Sequence, residues 1–463
     1  MKIHSMTQQE KVAYMLSEPV PRLVCRMAVP TIISMLISSF YNMADTFFVG
    51  KLNTQATAAV GVVFSVMTLI QAAGFFFGHG SGNFISRNMG AQNFEEVNKM
   101  AATGFYTAFG AGILVALLGI LFLEPLADLL GSTDSILPYT KSYMRIILLG
   151  APFMMSSLVL NNQLRYQGSA SYGMVGIVSG AVLNLVLDPL LIFTFDMGVA
   201  GAALATTISQ IASFSILYIM SCRGGNIRIR WKNLSFRSEY FKEMVRGGFP
   251  SLCRQGLASV STICLNNCAG LYGGAFSDAA IAAMSIVNRV YMFANSALIG
   301  FGQGFQPVCG MNYGAKQYKR VREAFYFCVK YAIFLLVVAS VAGIVFAKPL
   351  VTLFRKDDAQ VIEIATLALQ LRCIVFPLSS WMVMTNMMLQ SIGKAVSASL
   401  AAAARQGLFF IPLIFILPYF FGLLGVQMCQ TWADICAFIL VLPLGLHALK
   451  EMKALEQVSR ETP

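Results

Sequence analysis

Charge is scarce in this chain. Asp, Glu, Lys and Arg make up 12% of its 463 residues, where a soluble domain carries about a quarter. So few charges cannot cover a water-facing surface, so the composition calls for a bilayer as solvent. Histidine is scarcer still: His4, His79 and His447 are too few and too scattered for a metal or catalytic cluster. The ten cysteines include no CxxC pair. Cys264 and Cys268 share a helix face, but two thiols alone make a poor metal site. They read as small packing residues in a reducing setting. No GxxxxGK followed by Ser or Thr occurs, which argues against direct coupling to ATP. The lack of a His cluster and of a metal motif argues against an intramembrane transferase. No metal, catalytic residue or cofactor is expected.

Long apolar runs are what the chain has in quantity. Hydrophobic residues make up 57%, and about 20 of them in a row cross about 30 Å of hydrocarbon. Runs at 27–49, 58–82, 102–123, 142–162, 172–195, 199–221, 248–271, 279–304, 325–347, 362–388, 397–421 and 426–448 predict about twelve spans. The expected fold is all-α and polytopic. The start, "MKIHSMTQQEKVAYMLSEPVPR", lacks the basic head and short apolar core of a cleaved signal, so the first run reads as a retained span.

A net charge of +12 raises the question of nucleic acid, and its placement answers it. With the N-terminus in the cytoplasm, 23 of the 33 basic residues fall on the cytoplasmic side, Lys2, Lys11, Arg87, Arg165 and Arg405 among them. Six fall outside, including Lys348, Arg355 and Lys356; Arg254, Arg289, Lys330 and Arg372 fall within spans. This is the positive-inside pattern, which puts both termini in the cytoplasm. No nucleic-acid partner is expected; anionic lipid headgroups are a secondary one.

The two halves repeat. "RMAVP" ending at Pro30 matches "RGGFP" ending at Pro250, and "NMGAQNFEEV" matches "MNYGAKQYKRV" with Gly90 opposite Gly314. "LLGAPF" matches "CIVFPL", "YQGSAS" matches "SIGKAV", and "GVAGAAL" matches "GLLGVQM". The offsets stay between 220 and 225. Six spans per half make the repeats parallel, related by an axis along the membrane normal. The expected organisation is a segment 1–26, a bundle 27–221, a basic linker 222–247, a bundle 248–448 and a tail 449–463. Two such bundles around a central cleft form a V that can rock between two openings.

With this map, the chain resembles the multidrug and toxic compound extrusion (MATE) family over nearly its whole length. The carriers are "PTIISMLISSFYNMADTFFVG", "NMGAQNFEEV", "QLRYQGSASYGM", "LNLVLDPLLIF", "GVAGAALATTISQ" and "PVCGMNYGAKQYKRV". The methionine-rich style and "LNLVLDP" look most like its MepA-type and DinF-like branch. The resemblance implies export of cationic amphipathic compounds against inward H⁺ or Na⁺. It implies no enzyme activity, and a monomer in the inner membrane of a bacterium. A flippase for a lipid or lipid-linked sugar of the same superfamily is the alternative; a channel or receptor fits the repeat less well.

An ionised side chain at the centre of a span costs about 2.5–3.5 kcal/mol on the gentler scale. Asp45, Asp188 and Asp434 bear that cost. Asn42 lies three residues before Asp45, and Asn184 four before Asp188, each pair on one helix face. Pro189 follows Asp188 and frees a carbonyl, a setting that suits a hard cation or water. In the archaeal and DinF-like type, the resemblance implies a first-half cation site at Asp45, Asn184, Asp188 and Thr206, with Na⁺ able to replace a proton at the first three. Tyr41, Asn42, Gln255 and Asn266 are further candidates for coupling or for lining the cleft. The acids of the NorM-type second half are absent; Gln255 stands where one is expected. Two readings stay open for Asp45 and Asp188, coupling or structural pairing, and for Asn184 and Thr206, coupling or plain interhelical bonds. Asp434 reads as a structural partner of Arg254 or Arg289. Pro30 reads either as a packing kink or as the bend that answers protonation of Asp45. The 25 methionines and 35 phenylalanines suit an adaptable apolar cleft.

Overall fold

A computed structural model describes residues 6–354 and 358–461. Lys2, His4, Arg355 and Lys356 lie outside them. Seventeen α-helices and no strands occur among the described residues. Short α1 (Gln8–Ser17) opens on a capping box, Thr7 with Glu10. The first half follows as α2 (Val20–Gly50), α3 (Thr54–Gly90), α4 (Phe94–Leu121), α5 (Leu123–Leu129), α6 (Leu137–Tyr166), α7 (Ala170–Pro189) and α8 (Gly198–Ser221). The second half repeats it as α9 (Ser238–Tyr272), α10 (Ser277–Gly314), α11 (Tyr318–Val345), α12 (Ala347–Phe354), α13 (Ala359–Val375), α14 (Leu378–Ser391), α15 (Ala395–Ala403), α16 (Phe410–Phe421) and α17 (Leu423–Glu461). The helices α4 and α11 match at both ends with an offset of 224, and so do the starts of α5 and α12.

Nine described helices or helix runs are long and apolar enough to cross a membrane. A tenth crossing is the pair α13 and α14, bent by 58° at Pro377, whose ring and missing N–H break a helix. Two more, α9 and α10, have the length, at 35 and 38 residues, but fall below the same apolar standard. Nine or ten of the twelve expected crossings are thus met by length and apolar character among the described residues. Helix α9 begins at Ser238, inside the segment read as linker, and α1 lies inside the polar start. Helix α2 runs unbroken through Pro30. Proline instead marks the fifth crossing, where π-helical Leu190–Thr194 follows Pro189; a second π stretch, Ala404–Phe409, interrupts the eleventh.

The halves meet at the end of the molecule that carries the termini. Helix α2 packs on α10, and α9 on α3, the two contacts that the repeat exchanges. A Cβ on Gly90 would lie 2.0 Å from the Met311 carbonyl oxygen, and one on Gly314 would lie 1.9 Å from that of Arg87. These contacts are repeat images of each other. Only glycine allows backbones to come this close, as in other membrane helix crossings. Gly80 against Met244, Gly248 against Phe76, and Gly300 and Gly304 against Ile32 and Ala28 continue the seam. Thr31 donates from Oγ1 to the Gly300 carbonyl at 2.6 Å. The hydroxyls of Ser39 and Ser296, 2.7 Å apart, make the last hydrogen bond between the halves toward the opposite end among the described residues. Beyond it Phe40, Met43 and Phe47 of α2 and Met292 and Phe293 of α10 are exposed.

The segment between the halves is strapped to the first one. Ile227 N donates to Gln167 Oε1 at 2.7 Å, and the Tyr240 hydroxyl donates to Glu96 Oε2 at 2.7 Å. Lys11 of α1, 2% exposed, donates from Nζ to Ser169 Oγ at 2.9 Å and to Asn226 Oδ1 at 2.5 Å. It was expected among the basic residues of the cytoplasmic face and is instead enclosed, with no carboxylate in ion-pair reach among the described residues.

Leucine at Gly90 or Gly314 is predicted to hold the termini end apart. With exposed cysteines replaced and spin labels at positions 92 and 316, the distance distribution should broaden toward longer values; an unchanged distribution contradicts the seam. Burial lowers the Lys11 amine from its ordinary 10.5 to about 8. The folded value lies below the unfolded one, so the fold gains stability as pH rises from about 8 to 10.5 and bears the full cost of the charge below 8. The melting-temperature difference between wild type and Lys11→Met should therefore grow in favour of wild type across that window, and a pH-independent difference contradicts the enclosure.

Candidate functional site

The first-half polar group is built by three crossings. Asn184 and Asp188 share a face of α7, one turn apart, and Asn184 Nδ2 donates to Asp188 Oδ1 at 3.3 Å. The same amide reaches Thr206 Oγ1 of α8 at 3.4 Å. Three of the four residues matched through the family resemblance therefore touch. Asp188 is 0% exposed and Asn184 and Thr206 are buried. Asp45, on α2, is half-buried. It makes no hydrogen bond to this trio, but Tyr41, one turn before it on α2, lines the same cavity as Asn184 and Thr206.

Three acceptor oxygens of the group, Asp45 Oδ1, Asn184 Oδ1 and Asp188 Oδ2, are buried and have no hydrogen-bond donor. A buried acceptor without a donor costs its desolvation. A proton on a carboxylate, a hard cation, or water each supplies what these oxygens lack. Among the described residues no three His, Cys, Asp or Glu side chains come together as a metal cluster, so the donor set is one of oxygens from two acids, an amide and a hydroxyl. A cavity of about 50 Å³ adjoins it, lined by Tyr41, Gln71, Ala181, Asn184, Thr206 and Gln210 among others. That is room for a few waters, far below the 300–1,000 Å³ typical of drug-sized pockets.

The other candidates lie elsewhere. Asn42 sits on α2 beside Tyr41, with its carbonyl accepting from Thr46. Gln255 and Asn266 are on α9, which packs on α3, α10 and α15 rather than on α7 and α8. Asn266 Oδ1 is buried without a partner. Pro30 is buried at the seam, and its carbonyl accepts from Ser34 Oγ at 2.9 Å. Tyr143, fully buried beside Thr206, joins the group without a signal in the sequence. Its position became visible only once α6 was packed against α8.

Asp434 pairs with neither residue expected for it. Its partner is Arg405 of the second π stretch. Arg289 is exposed, and Arg254 donates instead to Asn386 Oδ1 at 3.3 Å. Arg405 lies near the start of its span, and the fold turns it inward onto α17.

Arg165, at the end of α6, is turned inward too. It is 2% exposed and stands in a polar network that crosses the seam. Its guanidinium donates to Gln303 Oε1 of α10 at 2.6 Å and to Asn162 Oδ1 at 2.5 Å, and meets His79 Nε2 at 3.2 Å. Arginine can only donate, so His79 Nε2 accepts and the ring proton sits on Nδ1. Nδ1 then donates to Ser251 Oγ of α9 at 3.0 Å. Gln390 of α14 closes the chain, donating to Ser251 Oγ at 2.8 Å and to the Gly247 carbonyl at 2.6 Å. A parallel bond joins Arg87 Nη2 of α3 to Glu243 Oε2 at 2.8 Å. The termini end is thus closed by both backbone contact and polar pairing.

Comparison with known proteins agrees with this architecture. The chain is 29% identical over 442 residues to the multidrug export protein MepA of Staphylococcus aureus (strain N315), covering 94% of this chain and 96% of MepA. It superposes with a TM-score of 0.89 on a multidrug resistance MATE family transporter in an outward-facing conformation, at 24% identity over 95% of this chain and 98% of that one. A MATE structure in the straight conformation gives the same TM-score, at 25% identity and the same coverage of both chains. The MatE family model matches residues 30–190 and 255–448. With both repeats matched, the chain belongs to the MatE family of multidrug efflux transporters.

Proposed function

We propose that this protein exports cationic amphipathic compounds from a bacterial cell by exchanging them for inward-moving H⁺ or Na⁺. The observation that carries this reading is the trio of donor-free oxygens on Asp45, Asn184 and Asp188. An ion that arrives there supplies the missing partner. When it leaves, two carboxylates remain to attract an organic cation. Ion and drug then compete for one set of charges, which is the requirement for exchange. Aromatic and methionine side chains of the cleft supply the apolar contact such compounds need.

The seam supports alternating access. The placement of basic residues supports cytoplasmic termini, so the closed end faces the cytoplasm and the opening faces out. Bundles 27–221 and 248–448 rock as bodies when the glycine crossings and the network around Arg165 separate. Thr31, next to Pro30, holds α2 to Gly300, so a change of bend at Pro30 reaches the seam directly. The protein works as a monomer, because each V contains a complete set of both halves.

In proteoliposomes with an imposed pH or Na⁺ gradient, Asp45→Asn and Asp188→Asn should each lower gradient-driven export of a lipophilic cation by about tenfold or more, the scale of about 1.4 kcal/mol. Binding of the cation without a gradient should fall as well. Unchanged export in both variants contradicts the coupling role, and wild-type export indifferent to either gradient contradicts exchange itself.

A further inference from the structure

The second half holds a charged cluster that the export reading leaves unused. Arg405 grips Asp434 with two bonds, Nε to Oδ1 at 2.8 Å and Nη2 to Oδ2 at 2.9 Å. Gln430, one turn earlier on α17, donates to the same Oδ1 at 2.7 Å. Arg405 also donates to the Tyr291 hydroxyl of α10. That pair is neutral. Arg372 of α13 then adds a second guanidinium, its carbon 3.7 Å from the centre of the Tyr291 ring. It donates to Asn288 Oδ1 at 2.6 Å, and its Nε has no partner. Arg372 is 7% exposed, and among the described residues no carboxylate lies within ion-pair reach of it. Two guanidiniums share one acid inside membrane crossings, where ionised groups mark function.

The repeat says where this cluster stands. Gly201 and Gly425 fix an offset of 224, so Gln430 is the image of Thr206 and Asp434 the image of Gln210. The offsets on either side of this crossing, 225 from Gly168 and Gly393 and 224 from Gly201 and Gly425, make Arg405 the image of Gly180 or Ala181, both of which line the first-half cavity. Ala181, Thr206 and Gln210 all line the first-half cavity beside Asn184. The cluster therefore occupies the second-half counterpart of that cavity. One counterpart carries a surplus of negative charge, the other a surplus of positive charge.

We propose that Arg372, with Arg405 and Tyr291, forms an anion-recognising subsite that takes the carboxylate of an amphipathic substrate whose cationic end lies at the first half. The planar fork of Arg372 matches a carboxylate, and the Tyr291 ring offers a flat apolar surface beside it. The substrates favoured are then zwitterions rather than simple cations. This rests on the export reading above.

The test uses a cationic xanthene dye bearing a free carboxylate and the methyl ester of the same dye. Their binding to the purified full-length protein is followed by fluorescence anisotropy. Wild type should bind the carboxylate dye at least as tightly as the ester. In Arg372→Gln the ratio of carboxylate to ester affinity should fall by about tenfold, the effect of one lost charge-assisted contact. Arg372→Lys, which keeps the charge but not the fork, should fall between and settles the matter if the Gln variant binds neither dye. A ratio unchanged in the variants overturns the subsite, whatever happens to affinity overall. An Arg372-dependent response to chloride, or to a short-chain phosphatidate, without a change in the dye ratio assigns the guanidinium to a free anion or a lipid and also overturns it. Failure of wild type to bind even the ester counts against the export reading instead.

Discussion

Backbone touching backbone at the termini end is the constraint on which the rest of the structure depends. Between helices in a membrane there is no hydrophobic gain from leaving water, so close contact and polar pairing must hold them. Gly90 and Gly314 supply the contact, each against a carbonyl of the other half. Because the helices come so near, short polar side chains can reach across. Arg165, His79, Ser251 and Gln390 form a continuous chain there. A seam of this kind is either made or broken, since packed contacts do not stretch. It gives two bundles one closed arrangement and a defined way to leave it.

The scaffold is symmetric and the charge is not. Helices α4 and α11 have matching bounds, and the seam contacts of Gly90 and Gly314 are images of one another. Yet Asp188 faces Pro412 across the repeat, and the segment of Asp45 faces one with Asn266 and no acid. The second half answers with Arg372, Arg405 and a single Asp434. A cleft flanked by opposite polarities orients a charged amphipath before any specific contact forms. In the exchange proposed above, coupling belongs to the first bundle, because the acid of the second half, Asp434, is already paired with Arg405.

Much of this was legible in the sequence, and the limits have physical reasons. Apolar runs show a crossing whatever it packs against, so most spans were placed within several residues. Helix α9 was read too short because its first turns are polar and lie beyond the hydrocarbon. The bend between α13 and α14 hid in a single run, since Pro377 and Pro152 look alike in sequence while only Pro377 breaks its helix. Asn184 and Asp188 were legible because helix spacing alone joins them. Tyr143 and Arg165 were not, because each acts through residues far away in the chain. The inward turn of Arg165 and Arg405 was not legible either, because a long side chain near the end of a crossing can turn to water or inward, and only the neighbouring helices decide which.

The central claim is that one ion site, in the first half alone, gives up its ion when the organic cation arrives. Ion release on addition of a lipophilic cation to the purified protein in weakly buffered solution tests this most directly, with proton and sodium followed together. The account predicts release of H⁺ or Na⁺ by wild type, and its loss when Asp45 and Asp188 are both replaced by Asn. Full release by that double variant would contradict it.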